Sequence, residues 1–477
     1  MSDGGRALSG RQPRPELHFT PPANWMNDPN GLIVLDGTFH LFYQHNPDAP
    51  RWGNLHWGHA TSDDLWTWEH HPIAIVPDAL GEAFSGTVVL DEADTAGFGT
   101  GALVAIYTQD LSGLQRQSLA VSVDGGEQWK PYDGNPVIES PAGVSDFRDP
   151  KVLRYSSGTS AWWVMVLAVG PDVWVYRSDD LRHWRRASTL TVPTPWPGSI
   201  VEVPELASVP VEGTDECVWT LIVSLIPPGG AQRLGGRVRA MAVDFDGETL
   251  APREPATGLA SFDGGRDFYA AMTWDRTLPD PPVCVGWLDE REVGGVADRA
   301  EWCGRLSLPR AVTWVDDDGE LRLRQAPMLP MERRRIADVA EGTIEWESAP
   351  VLDACFVVSL VAEMPPSSEA GSARITLESS TERLSLIVDR SGARLGDRGH
   401  PASGRRTSAE DVSMREVAVI VDAGSIEVFV DGGLGVLSEV AWLGVEPTSV
   451  TVEVHGAARL ASTFIDELGP ASTKAAT

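Results

Sequence analysis

Short runs of alternating apolar and polar residues dominate this chain from about residue 20 onward, and helix-period patterns are scarce. Thr38-Phe39-His40-Leu41-Phe42-Tyr43-Gln44, Ser85-Gly86-Thr87-Val88-Val89-Leu90 and Leu103-Val104-Ala105-Ile106-Tyr107 each read as a strand. A repeat organises them. Ser62-Asp63-Asp64-Leu65-Trp66-Thr67-Trp68, Ser122-Val123-Asp124-Gly125-Gly126-Glu127-Gln128-Trp129 and Ser178-Asp179-Asp180-Leu181-Arg182-His183-Trp184 share a serine, an acidic turn and a closing tryptophan. Their starts lie 60 and 56 residues apart, and Val243-Asp244-Phe245-Asp246-Gly247 follows about one further period on. A hairpin tip recurring at that interval, with several strands per period, predicts a β-propeller, because a four-stranded blade buries its faces only against other blades. The span from about 17 to 315 holds five such blades.

Later runs also alternate, including Ala373-Arg374-Ile375-Thr376-Leu377, Leu384-Ser385-Leu386-Ile387-Val388 and Ser425-Ile426-Glu427-Val428-Phe429-Val430. They predict an antiparallel β-sandwich over 341–477, with Asp431-Gly432-Gly433 as a tight turn. Residues 1–16 read as a flexible lead-in and 316–340 as a linker carrying a hairpin. The expected fold class is therefore all-β: a five-bladed propeller followed by a C-terminal sandwich.

Composition sharpens this division. Sixteen of the 18 tryptophans and all six tyrosines lie at or before Trp314, so the rigid aromatics that pack blades or stack on sugar rings belong to the first part. A net charge of −30 disfavours nucleic acid and anionic membranes as partners. Cys217, Cys284, Cys303 and Cys355 are too scattered for a zinc site or a disulfide scaffold and read as reduced, mostly buried thiols. Met1 to Glu16 has no apolar core segment of a secretory signal, which makes a cytoplasmic location the expectation, with secretion the alternative if a leader has been trimmed away.

Three acidic stretches carry candidate chemistry. In Trp25-Met26-Asn27-Asp28-Pro29-Asn30-Gly31, proline drives Asp28 toward extended backbone and Asn-Gly turns the chain into an apolar strand. Asp146-Phe147-Arg148-Asp149-Pro150 repeats that logic, with a guanidinium beside the acid. In Ile200-Val201-Glu202-Val203-Pro204-Glu205, Glu202 has apolar neighbours that favour a retained proton, as a general acid needs. Glu205 competes for that role, but three positions along an extended strand it is expected to face the other way. Each stretch alone is an ordinary turn or strand. Together, about one or two blade periods apart, they can converge in one central funnel, and paired carboxylates there suit glycoside cleavage. His56 and His59, three apart without a third ligand, read as structural.

These three stretches resemble the signature motifs of family 32 glycoside hydrolases, the invertase, inulinase and levanase group. The likeness extends through Phe42 to Pro47, Trp52 to Ala60, Phe84-Ser85-Gly86, Asp267 to Ala271 and Leu306 to Arg310, covering about 18–312. It implies a β-fructofuranosidase with Asp28 as nucleophile, Glu202 as acid/base and Asp149 holding fructose hydroxyls and stabilising the transition state. Asn27, Gln44, Trp52, Phe84, Ser85, Arg148, Tyr269 and Trp287 are the implied substrate-binding residues, with no metal or cofactor. The substrate would be sucrose, a fructo-oligosaccharide or a fructan, cleaved with retention. A fructosyltransferase would use the same acids, and a noncatalytic sugar-binding propeller would need a damaged triad. The Ser122 to Trp129 stretch also matches the Asp-box turn of sialidases, which reports a hairpin rather than a site. Val203 stands where most of the family carries Cys, Met272 where Gln is common, and Leu288-Asp289-Glu290-Arg291 replaces an Asn- and Trp-rich stretch near the leaving-group space.

Overall fold

The computed structural model describes residues 14–230, 235–254, 258–276, 281–290, 301–330, 332–338, 342–344, 355–378, 383–396, 402–405, 411–440 and 449–469. Most of the lead-in, Trp346, Trp442 and Arg291 lie outside these segments.

Five antiparallel sheets follow one another along the first part of the chain, each forming a blade. Their innermost strands are Asn24–Leu35, Glu82–Asp91, Arg148–Ser157, Ile200–Pro210 and Phe268–Thr273. All five inner strands are rich in buried residues, and large apolar clusters fill the spaces between blades. Trp302–Cys303 closes the ring by pairing in parallel with Asn24 and Trp25.

The Ser-acid-Trp repeat is the turn between a blade's third and fourth strands. In the first blade, the Leu65 backbone N–H donates to Ser62 Oγ at 2.8 Å, Asp64 Oδ1 accepts from the Trp66 and Thr67 backbone at 2.7 Å, and Trp68 Nε1 donates to the Leu65 carbonyl at 3.1 Å. The Ser122 and Ser178 turns repeat the pattern, with Trp129 and Trp184 closing onto the Gly126 and Leu181 carbonyls. The side chains thus satisfy backbone groups that no ladder reaches. In the fourth blade, Asp246 caps the Glu248 and Thr249 amides without the serine and tryptophan.

The expected linker over 316–340 is not a linker. Arg310–Asp317 and Glu320–Pro327 pair as the outer hairpin of the fifth blade, turning through Asp318 and Gly319 at positive φ, so the propeller ends at Pro327 rather than near 315. Glu332–Asp338 then pairs with Arg459–Gly469 inside the sandwich. An outer blade strand is only half-buried, and its weak apolar alternation reads as a polar connection.

Two six-stranded sheets face each other to form the sandwich, and the Asp431-Gly432-Gly433 turn lies where expected. Polar contacts seat it on the propeller. Arg310, fully buried, donates to Asp263 at 3.0 Å, Glu427 at 2.7 Å, Gln325 at 3.0 Å and Ser438 at 2.6 Å. His18 lies between Asp422 and Glu427 at 2.7 and 3.0 Å, while the Glu16, Leu17 and His18 amides all donate to the Asp422 carboxylate. The lead-in is therefore anchored by residue 16. Of the four cysteines only Cys217 is exposed.

His59 is stacked between Phe42 and His71 in the first blade, and its Nε2 lies 3.1 Å from His40 Nδ1. His56 Nδ1 meets the Asn54 carbonyl instead. Burial pushes His40 down to about 4 and His59 to about 2, helped by neighbouring imidazoles. Both rings fold as neutral groups, so their contribution is complete above the unfolded value of 6.5 and is lost as pH falls from there toward 4. The melting temperature should decline over that window. His59→Phe, which keeps a flat ring in the stack, should flatten the decline by about 1–3 kcal/mol at pH 4, as read by thermal unfolding at a series of pH values.

Candidate active site

Every inner strand is interrupted near its start. Its ladder slips between Met26 and Pro29 and again before Ile33, between Ala83 and Gly86, between Arg148 and Lys151, between Glu202 and Glu205, and between Tyr269 and Met272. Four of these bulges contain a residue at positive φ: Gly31 (54°), Asp149 (62°), Val203 (46°) and Ala270 (51°). A bulge inserts an unpaired residue and re-aims the side chains beside it. Here it gathers the acids at one end of the propeller axis. Glycine is required at 31, where a Cβ would lie 2.7 Å from Val88 and 2.9 Å from Phe42. Val203 is a β-branched residue in left-handed backbone, a strained choice that its burial in the core holds in place.

Asp28 comes from the first blade. Its Oδ2 accepts from Ser85 Oγ at 2.8 Å and its Oδ1 from Asn27 Nδ2 at 3.2 Å, while Asn27 Oδ1 is held by Trp25 Nε1 at 2.7 Å. Asp149 comes from the third blade, nearly buried, with Oδ2 accepting from the Val203 amide at 2.9 Å and its own amide donating to Thr108. The fourth blade supplies Glu202. Arg148 Nε and Nη2 reach its Oε1 at 3.1 and 3.0 Å, and Tyr269 O–H donates to its Oε2 at 2.5 Å.

Burial, reinforced by the Glu202 and Asp28 charges, pushes Asp149 up to about 7 against the pull of Arg148. Tyr269 is held well above its usual range by burial and by Glu202, while Arg237 stacks 4.2 Å over its ring. Two expectations change. Glu202 has apolar neighbours along the chain, but its carboxylate meets a guanidinium and a phenol, because the bulge turns it toward the third and fifth blades. Glu205 does not face away: the same inserted residue returns it to the axis, where it meets Lys151 and Thr273.

The implied binding residues occupy the same end. Gln44 lies opposite the Asp28 bulge, with a buried Oε1 that has no hydrogen-bond partner among the described residues. Trp287 pairs across the ladder with Tyr269 and packs edge-on to Trp25 at 5.8 Å. Phe84 lies beside Ser85 with its ring edge-on to Trp52 at 6.3 Å, and Trp52 is 55% exposed, as a rim residue must be. Asp146 and Gln115, which hold Arg148 Nη1 at 2.6 and 3.3 Å, were not foreseen as site residues. Asp146 had a local signal in its closeness to Arg148; Gln115, on another blade, had none.

Three carboxylates from three blades, steadied by one guanidinium and set among sugar-binding residue types, form a candidate site of the kind glycoside cleavage needs. Residues 18–327 match the N-terminal domain model of glycosyl hydrolases family 32, and the chain belongs to that family. It is 37% identical over 455 residues to a levanase from Bacillus subtilis, covering 90% of this chain and 66% of that protein. To the extracellular exo-inulinase of Aspergillus niger it is 32% identical over 486 residues, covering 88% of each. Among solved structures, a fructofuranosidase from Schwanniomyces occidentalis complexed with fructose aligns with a TM-score of 0.83 at 25% identity, over 97% of this chain and 100% of that one. The expected cytoplasmic location finds no support among relatives named extracellular.

Asp149 has a direct consequence for stability. Its folded pKa lies above its unfolded one, so its contribution is complete below about pH 4 and is lost as pH rises through about 7. Asp149→Asn keeps an acceptor for the Val203 amide without the crowded charge. It should raise stability at pH 8 by on the order of 2 kcal/mol and leave it unchanged near pH 4, as measured by denaturant unfolding at both pH values.

Proposed function

We propose that this β-fructofuranosidase-type glycosidase releases nonreducing terminal β-D-fructofuranosyl units from sucrose, fructo-oligosaccharides or fructans with retention of configuration. The observation that carries this reading is the unequal setting of the two outer acids. Asp28 accepts hydrogen bonds from Ser85 and Asn27, which hold a carboxylate oxygen in place for attack. Glu202 is oriented by Arg148 and Tyr269 across from it, suited to passing a proton to and from oxygen.

In the first step Asp28 attacks the anomeric C2 of fructose while Glu202 gives its proton to the departing glycosidic oxygen. Water then displaces Asp28 as Glu202 takes the water proton, releasing fructose and restoring both groups. This double displacement calls for carboxyls about 5–5.5 Å apart. Asp149 and Gln44 hold fructose hydroxyls, and Trp52 at the rim supplies an apolar wall for the leaving sugar. Relatives named levanase, exo-inulinase and invertase favour hydrolysis over transfer to a sugar acceptor.

A product profile with sucrose, a short inulin-type oligomer and levan should show free fructose as the main product; longer oligomers or a fructose dianhydride would mean transfer. Asp28→Asn should lower kcat by roughly four orders of magnitude or more with the fold intact, and retained turnover would remove it as the nucleophile. For Glu202→Gln the loss should be largest with poor leaving groups and small with an activated aryl fructoside. Equal losses on both would reassign the acid.

A further inference from the structure

Directly beneath the acids, on the same strands, lies a second set of charged side chains that the reaction does not use. Lys151, two residues beyond Asp149, reaches Glu205 Oε1 at 2.8 Å, and Thr273 Oγ1 donates to that same oxygen at 2.7 Å. Lys151 is 6% and Glu205 1% exposed. The three residues come from the inner strands of blades three, four and five, which also carry Asp149, Glu202 and Tyr269. Beyond them a cavity of about 420 Å³ opens at the far mouth of the axis, lined in part by Trp163, Trp219 and Trp274.

Among the described residues the inner strands of the third, fourth and fifth blades share no backbone ladder, since each belongs to its own sheet. Side chains therefore set their spacing. At the level of the acids the bridges are Arg148 to Glu202 and the Val203 amide to Asp149. One layer down the Lys151–Glu205–Thr273 contacts are the corresponding bridge, and because the bulge residues lie between the layers, a shift below is passed to the acids above. Among the described residues Glu205 is held through one oxygen; its Oε2 is buried with no hydrogen-bond partner among them, so without Lys151 only Thr273 would locate it. The pair also matters as charge, placing a cation and an anion beneath a crowded acid cluster.

We propose that Lys151 and Glu205 are a positioning pair for the fructosyl-transfer step, fixing the separation of Asp149 and Glu202 from the layer below and balancing the charge under them. The proposal rests on the roles given above to the three acids. Glu202→Gln is therefore assayed alongside on the same substrates: an active parent with an impaired Glu202→Gln supports those roles whatever the pair variants do.

The test compares Lys151→Met, Glu205→Gln, the double variant and Lys151→Arg. Each single variant should lower kcat by roughly 10- to 100-fold with KM within about twofold, the scale of a misplacement of about 1 Å. The double variant, which strands no buried charge, should lose less than either single variant. Lys151→Arg should recover much of the rate. Where a stranded charge persists, the acidic limb of the pH profile should move up in Lys151→Met and down in Glu205→Gln, by roughly one unit. A merely structural pair would lower the melting temperature and leave kcat and the profile in place. Unchanged kcat in both single variants, or a double variant losing the product of the two, overturns the proposal. If the single variants do not fold, the double variant and Lys151→Arg decide it: parental kcat in the double variant is then the overturning result.

Discussion

Everything at the active end of this molecule depends on one backbone constraint, the bulge at the start of each inner propeller strand. A regular strand sends alternate side chains to opposite faces, so a continuous ladder would set Glu202 and Glu205 on different sides. The extra residue breaks that parity. It lets one strand present Glu202 to the funnel and Glu205 to the layer beneath, and the third blade does the same with Arg148 and Lys151. The cost is left-handed backbone at Asp149, Val203 and Ala270, none of them glycine, maintained by the packed blades on either side.

The bulges bring together charges that repel. Asp28, Asp149 and Glu202 lie close enough that burial and mutual repulsion drive Asp149 toward neutrality, and Arg148 is the nearest compensating charge. Asp146 and Gln115 hold this guanidinium on its other side, so that it points its Nε and Nη2 at Glu202. The same crowding that destabilises the empty site prepares it for a substrate whose transition state is positively charged.

The sandwich is joined to this scaffold by a polar seam. Arg310 and His18, both buried, draw on Glu427, while Asp422 takes three successive backbone amides from the N-terminal segment. Buried ion pairs of this kind add little net stability, but removing one partner strands a charge. They make the relative placement of the two domains specific, and through Leu308 and Arg310 the seam is continuous with the fifth blade.

Much of the architecture was legible in the residues because its signals are local. Ser62, Ser122 and Ser178 mark turns whose hydrogen bonds span only a few residues, so their spacing reports the blade period, and the length of the strand-rich region then gives the count. Asp28, Asp149 and Glu202 could be recognised from neighbours within three positions. The polar strand Glu320–Pro327 reads as a connection because a half-buried outer strand imposes little pattern on its residues. Glu205's direction, Gln115's hold on Arg148 and the Lys151–Glu205–Thr273 layer could not be read at all. The chain by itself determined most strands and turns and marked Asp28, Asp149 and Glu202 as candidates, all through short-range backbone geometry and binary pattern. Only the tertiary structure decided which side chains meet across the propeller axis, because the inner strands belong to separate sheets and the contacts depend on where each bulge turns its strand.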